Sequence, residues 1–163
     1  WESKRDGGQY AAIDEGFRHC DGEIMGWLNS DDILHPFSLW KIAKVFTENP
    51  RTRWVMGRPT AWDGEGRLID VLDVRTWDRK RYLSGDYRWI QQESTFWRSS
   101  LWREAGGKLA TELKLAGDLE LWTRFFRHAT LQVLDGLVGG FRRHGDQKTS
   151  RRSLSRTSSA SFT

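Results

Sequence analysis

A single cysteine, Cys20, stands in a chain of 163 residues, so no internal disulfide can form and nothing points to an oxidising compartment. No apolar run approaches the roughly 18 residues of a membrane-spanning helix, and the N-terminal stretch lacks the pattern of a secretory signal. Acidic residues stop at Asp146. Beyond it Lys148, Arg151, Arg152 and Arg156 are uncompensated, and they account for the net charge of +4. The body before them carries 22 bases against 22 acids. The sequence pI near 9.5 therefore belongs to a tail, and the body is not a basic nucleic-acid platform. Internal repeats are also missing.

What the chain does have is aromatic bulk. Ten Trp, in a composition 37% hydrophobic and 13% aromatic, can fill a core that the modest aliphatic content would leave thin. The length fits one domain. Tyr10, Ile13, Phe17 and Cys20 fall at helical spacing and predict a helix over Gly8 to Cys20, broken by Asp21-Gly22. Glu23 to Leu28 is a short apolar run that reads as a buried strand, ending abruptly in Asn29-Ser30-Asp31-Asp32. A second helix begins at Pro36, with Leu39, Ile42, Ala43 and Phe46 as its expected buried stripe, and stops at Asn49-Pro50.

Trp54 to Gly57 and Leu68 to Val71 flank Asp63-Gly64-Glu65-Gly66, a hairpin signal. A helical turn or two is expected within Arg75 to Gly85, a strand over Gln92 to Trp97, and a short helix from Ser100 to Ala105 ended by Gly106-Gly107. Leu119, Trp122, Phe125 and Phe126 mark a third amphipathic helix. Leu131 to Leu134 and Leu137 to Phe141 read as closing strands. Nine of the last fifteen residues are Ser or Thr, too little apolar surface to offset the entropy of ordering, so a disordered tail is expected over 148–163. Alternating helices and strands with one hairpin give an α/β domain with a mixed sheet flanked by helices.

Asn29-Ser30-Asp31-Asp32 closes a buried strand at the sheet edge where ligands of open α/β folds bind. Two adjacent carboxylates there can hold a hard divalent cation bridging to a diphosphate. The same residue types also make a turn and a helix N-cap.

Four blocks, in order, resemble family 2 glycosyltransferases of the GT-A fold. They are Glu2-Ser3 through Asp6, Gly8 and Gly22-Glu23-Ile24 to Asp32; Gln91-Gln92-Glu93-Ser94-Thr95-Phe96-Trp97-Arg98; Gly117-Asp118-Leu119-Glu120-Leu121-Trp122 with Arg124; and Phe141-Arg142-Arg143-His144-Gly145-Asp146-Gln147-Lys148. The resemblance implies a catalytic and acceptor-side portion of a GT-A domain over 1–147. It implies transfer of a sugar from a nucleotide-diphosphate donor to an acceptor hydroxyl, carbohydrate, lipid-linked or other. It also implies Mg²⁺ or Mn²⁺ as cofactor. Asp32 would be the nearer metal ligand, Asp31 its neighbour or the ribose contact, and His144 a further ligand or phosphate contact. A surface histidine is the alternative for His144.

Asp118 matches the family's general base, which would take the acceptor's proton opposite the leaving diphosphate and so give inversion. Capping the helix that starts at Leu119 is the alternative role. Glu93 is the competing carboxylate, and Gln92 and Glu93 are read as acceptor-side. Asp6 and Gly8 fall where the family wraps the donor, or else form a simple turn. Ala11 and Asp14 depart from the family pattern. Trp122 is expected in the core, with Trp89 and Trp97 either core or sugar-stacking.

Nothing before Trp1 corresponds to the family's nucleoside-binding strands. A piece of a longer protein, or a sheet completed by another chain, is therefore expected, with an open edge prone to self-association. The expected location is the cytoplasm, or peripheral at the inner face of the membrane. A non-catalytic binding module on the same scaffold is the second reading. A metal-dependent nucleotidyltransferase is the third, and it leaves Asp118 unexplained.

Overall fold

Among the described residues, eleven aromatic side chains share one core on one face of a six-stranded mixed sheet. In the computed structural model, which describes residues 7–73, 75–85 and 90–143, the elements are α1 (Gln9–Arg18), β1 (Ile24–Met25), β2 (Ile33–Leu34), α2 (Ser38–Glu48), β3 (Trp54–Trp62), β4 (Leu68–Val71), α3 (Arg79–Leu83), β5 (Thr95–Arg98), α4 (Ser99–Glu104), α5 (Gly117–His128) and β6 (Gln132–Arg142). The sheet runs β1-β5-β3-β6-β2, with β4 also paired to β3. Every pairing is antiparallel except β3 with β6. Among the described residues β1 has one strand neighbour, β5, through Ile24↔Arg98 and Met25↔Trp97.

Alternation along β3 sorts the two layers. Val55 points to α2, where Ile42, Phe46 and Val138 complete a small core. Trp54 and Met56 point to the other face, against Trp97, Leu121, Trp122, Phe125 and Phe126. Trp54 meets Phe126 at 4.9 Å between ring centroids, edge-on, and Trp27 stacks on Trp122 at 6.1 Å. Burying about 200 Å² of ring at ~25 cal/mol per Å² stabilises each by roughly 5 kcal/mol. The indole N–H groups of Trp54, Trp77, Trp97 and Trp122 find no acceptor among the described residues. That costs about 1–3 kcal/mol apiece, so ring burial wins.

Three predicted helices and the hairpin are present, the hairpin closed by Asp63 N–H to Arg67 O at 3.0 Å. Trp122 and Trp97 are core. Several details differ. The strand expected over Glu23 to Leu28 pairs only at Ile24–Met25, and at Gly26 the chain runs so close to Phe96 that a Cβ would stand 2.8 Å from its ring. The strand expected from Gln92 begins at Thr95, after a 3₁₀ turn over Gln92–Ser94. The two closing strands are one, β6.

The α2 stripe is rotated: Leu39 and Ala43 face out, and Ser38 is buried instead, its single O–H shared between His35 O at 2.6 Å and Val138 O at 2.5 Å. Cys20 lies past the end of α1 and is exposed, whereas Asp14 of α1 is buried and accepts from Leu109 N at 2.7 Å and from Arg18. No helix among the described residues is long and apolar enough to cross a membrane. The predicted tail, Asp6, His144 and Trp89 lie outside the described residues.

Candidate active site

The site is assembled from three parts of the chain that meet at the carboxyl end of β6. The first is the loop Asn29–Asp32, closed as a turn by Asp32 N to Asn29 O at 3.1 Å. Its Asp32 is 7% exposed. Asp32 Oδ1 accepts from Arg142 N at 3.1 Å and Oδ2 from Asn29 Nδ2 at 2.8 Å. Asp31, beside it, is half-buried.

The second part is the 3₁₀ turn carrying Gln92 and Glu93. It sits directly on β6, since a Cβ at Gly139 would overlap the Glu93 carbonyl. Gln91 fixes the turn from within, exchanging two hydrogen bonds with the Thr60 backbone at 3.0 and 2.7 Å, as a strand neighbour would. Gln92 accepts from Asn29 at 3.3 Å and donates to Trp27 O, which ties the turn to the acidic loop.

The third part is the first turn of α5, with Asp118. Ala116 is its N-cap and no side chain caps it, so Asp118 is not the cap that the sequence allows as its alternative role. An acid in the first turn is well placed against the helix dipole. Its Oδ1 accepts from Tyr10 Oη of α1 at 3.2 Å.

These parts wall a cleft of about 460 Å³ lined by Tyr10, Asn29, Gln92, Glu93, Asp118 and Phe141, among others. Asp118, Gln92 and Glu93 thus line one cleft. Asp32 stands behind Asn29. Gly8 is the cap of α1, with φ 114°. Its conformational freedom starts the helix that carries Gln9 and Tyr10 into the cleft. Glu120 faces away, paired with Arg124 at 2.7 Å.

Burial, then the charges of Asp32 and Asp118, push the Glu93 carboxyl up to about 8. Burial also raises Asp32, partly opposed by the Asn29 and Arg142 donors. Glu93 is thus a neutral acid beside Asp32 at neutral pH, its Oε2 having no donor partner among the described residues.

Among the described residues no cluster of three or more His, Cys, Asp or Glu side chains forms a metal cage. Asp31 and Asp32 do fit the other kind of site. A hard cation can be held by one or two carboxylates, with the remaining ligands from water and substrate phosphates.

The sequence profile of glycosyl transferase family 2 matches residues 2–108, more than half of the chain. The chain belongs to glycosyl transferase family 2. Among solved structures, S. aureus TarS 1–349 in complex with UDP-GlcNAc superimposes with a TM-score of 0.70 at 15% identity, covering 91% of this chain and 43% of that one. The same protein in complex with UDP gives 0.64 at 17% identity, covering 84% and 40%, and S. aureus TarS gives 0.59 at 14%, covering 84% and 25%. At these identities the likeness shows a shared GT-A-like fold. This chain spans less than half the length of each. No curated protein matched it by sequence.

Residues that sequence reading did not assign to the site are Gln9, Tyr10, Leu115 and Phe141. In the sequence Tyr10 marks only a helix stripe position. A tyrosine, rather than a phenylalanine, at the first turn of a helix entering a polar region is the signal that was available.

Proposed function

We propose that this chain forms the catalytic and acceptor-side part of a metal-dependent, inverting glycosyltransferase that uses a nucleotide-diphosphate sugar. The reading rests above all on one observation: Asp118, from α5, lines the same cleft as Glu93, Gln92 and the Asn29 end of the acidic loop.

An acceptor hydroxyl enters beside Asp118, which takes its proton as the acceptor oxygen bonds to the anomeric carbon. The bond from that carbon to the diphosphate breaks on the opposite side, its electron pair leaving with the diphosphate. Gln92 and Glu93 contact the acceptor side, and Glu93, held neutral, donates a hydrogen bond rather than adding a third negative charge. Mg²⁺ or Mn²⁺, when bound, stabilises charge developing on the leaving diphosphate. Asp32 and Asp31 are together proposed to hold the cation, Asp32 from a buried position fixed by Arg142 N and Asn29. His144 and Asp6 keep their proposed ligand and donor roles, and Gly8 acts through the start of α1.

The test is nucleotide release from a panel of nucleotide sugars by the full-length protein, with the product anomer read by NMR. Chelation should abolish turnover and Mg²⁺ or Mn²⁺ restore it. Asp31→Asn should raise the metal concentration needed without lowering the Tm, whereas Asp32→Asn should lower both turnover and Tm. Full turnover in excess chelator, or a retained anomer, would remove the metal or the inversion from the reading.

A further inference from the structure

The base proposed above makes no capping hydrogen bond with α5, so something else must hold its carboxylate. Tyr10 meets that need from a helix 108 residues distant in sequence, its Oη donating to Asp118 Oδ1 at 3.2 Å. The ring is placed just as firmly. A Cβ built on Gly117 would stand 2.9 Å from three carbons of the Tyr10 ring, so the ring lies against the backbone of the first turn of α5, and only glycine at 117 admits it. Tyr10 is 9% exposed.

The helix bearing it is fixed independently. Buried Asp14, one turn on, accepts from Leu109 N at 2.7 Å, and that segment leads through Leu115 into α5. The neighbouring Gln9 donates to Asn29 Oδ1 at 2.8 Å, and Asn29 donates on to Asp32. The first turn of α1 therefore contacts Asp118 directly and Asp32 through Asn29.

We propose that Tyr10 is a positioning residue for sugar transfer: its phenol holds Asp118 by Oδ1, so that Oδ2 receives the acceptor's proton, and its ring on Gly117 sets the seat of α5. This rests on the reading of Asp118 as base. The chemistry suits the role. A neutral donor on one carboxylate oxygen restricts rotation without removing the charge that makes the other oxygen a base. Burial and the Asp118 charge push the phenol up to about 12, so it stays a donor through any working pH. An orienting group of this kind is made only of pre-ordered contacts, and small misplacement of a base is costly in rate.

The experiment compares Tyr10→Phe with wild type in the full-length protein. Phe keeps the ring on Gly117 and removes only the O–H. The assay is UDP release from UDP-GlcNAc with water as acceptor. If another UDP-, GDP- or dTDP-sugar in a panel is the one turned over, the assay uses that. A fall in kcat of about tenfold is expected, the loss of one hydrogen bond to a charged group. KM for the nucleotide sugar should stay within about twofold, and the Tm should fall by about 2–4 °C, the loss of one hydrogen bond. In an Asp118→Asn background Tyr10→Phe should cost nothing further, because the two act through one group.

A second arm needs no turnover. Tyr10→Phe should shift the Tm measurably less in an Asp118→Ala background than in wild type. Unchanged kcat in Tyr10→Phe, losses that multiply with Asp118→Asn, or equal Tm shifts in the two backgrounds would each overturn the proposal. Normal turnover by Asp118→Asn would instead remove the base itself, so the two failures are told apart.

Discussion

The aromatic core and the cleft wall lie within one sheet's reach of each other, yet they are built on opposite terms. Around Trp54, Trp97 and Trp122 stability comes from ring area, and even indole N–H groups with no acceptor among the described residues are tolerated. At the cleft wall, buried Asp32, Gln91 and Gln92 and half-buried Asn29 are polar groups whose stability depends on the hydrogen bonds they make. The core can lose shape and keep its chemistry, because it has none. The wall can lose chemistry and keep its shape. Substitutions chosen on each side should therefore separate folding from turnover.

The largest stability loss belongs to the core. Trp122→Ala should destabilise by about 3–5 kcal/mol, because its neighbours Trp27, Trp54, Trp97 and Phe125 cannot all collapse into the space. Denaturant melts check this, and a loss under about 1 kcal/mol would mean the rings are not the foundation of the fold. Gly139→Ala crosses the divide. A Cβ there displaces the Glu93 turn from β6, so roughly 1–3 kcal/mol of stability and much of the turnover should go together. Near-wild-type behaviour would show that the turn does not need its seat.

A smaller, pH-dependent effect marks the wall. Glu93 sits at about 8 when folded against an ordinary 4.5. The folded protein therefore keeps a proton that the unfolded chain gives up. Its stability contribution is complete below about 4.5 and is lost as pH rises through 8. Glu93→Gln has no such proton. In chelator it should match wild type near pH 5 and be the more stable of the two near pH 8, with the gap growing by at most ~1.4 kcal/mol per pH unit. Denaturation curves that stay parallel between those pH values would contradict the buried neutral acid.

The two regions also differed in how much of them could be read from sequence. Helical spacing at Ile13 and Phe17, and at Trp122 and Phe126, exposed α1 and α5 because burial of apolar side chains follows a local period. Asp63-Gly64-Glu65-Gly66 announced the hairpin through turn chemistry alone. The acidic loop and Asp118 were legible as motif positions. What escaped was whatever is buried and polar. Asp14, Ser38 and Gln91 look like surface residues, and their partners Leu109, Val138 and Thr60 lie 95, 100 and 31 residues away. No local pattern reports such pairings. Strands β1 and β2, two residues each, are too short for any period to declare them.

The central claim is that the cleft, unlike the core, holds chemistry separable from stability, with Asp118 as its base. The direct measurement is turnover and thermal melting of Asp118→Asn side by side in the full-length protein. Asn nearly preserves shape but cannot accept the proton. Turnover should fall by about 10²–10⁴, nucleotide-sugar affinity should hold, and the Tm should stay within about 3 °C of wild type. Normal turnover would place the base elsewhere, with Glu93 the next carboxyl in the cleft, and a matching collapse of Tm would show that Asp118 is part of the scaffold after all.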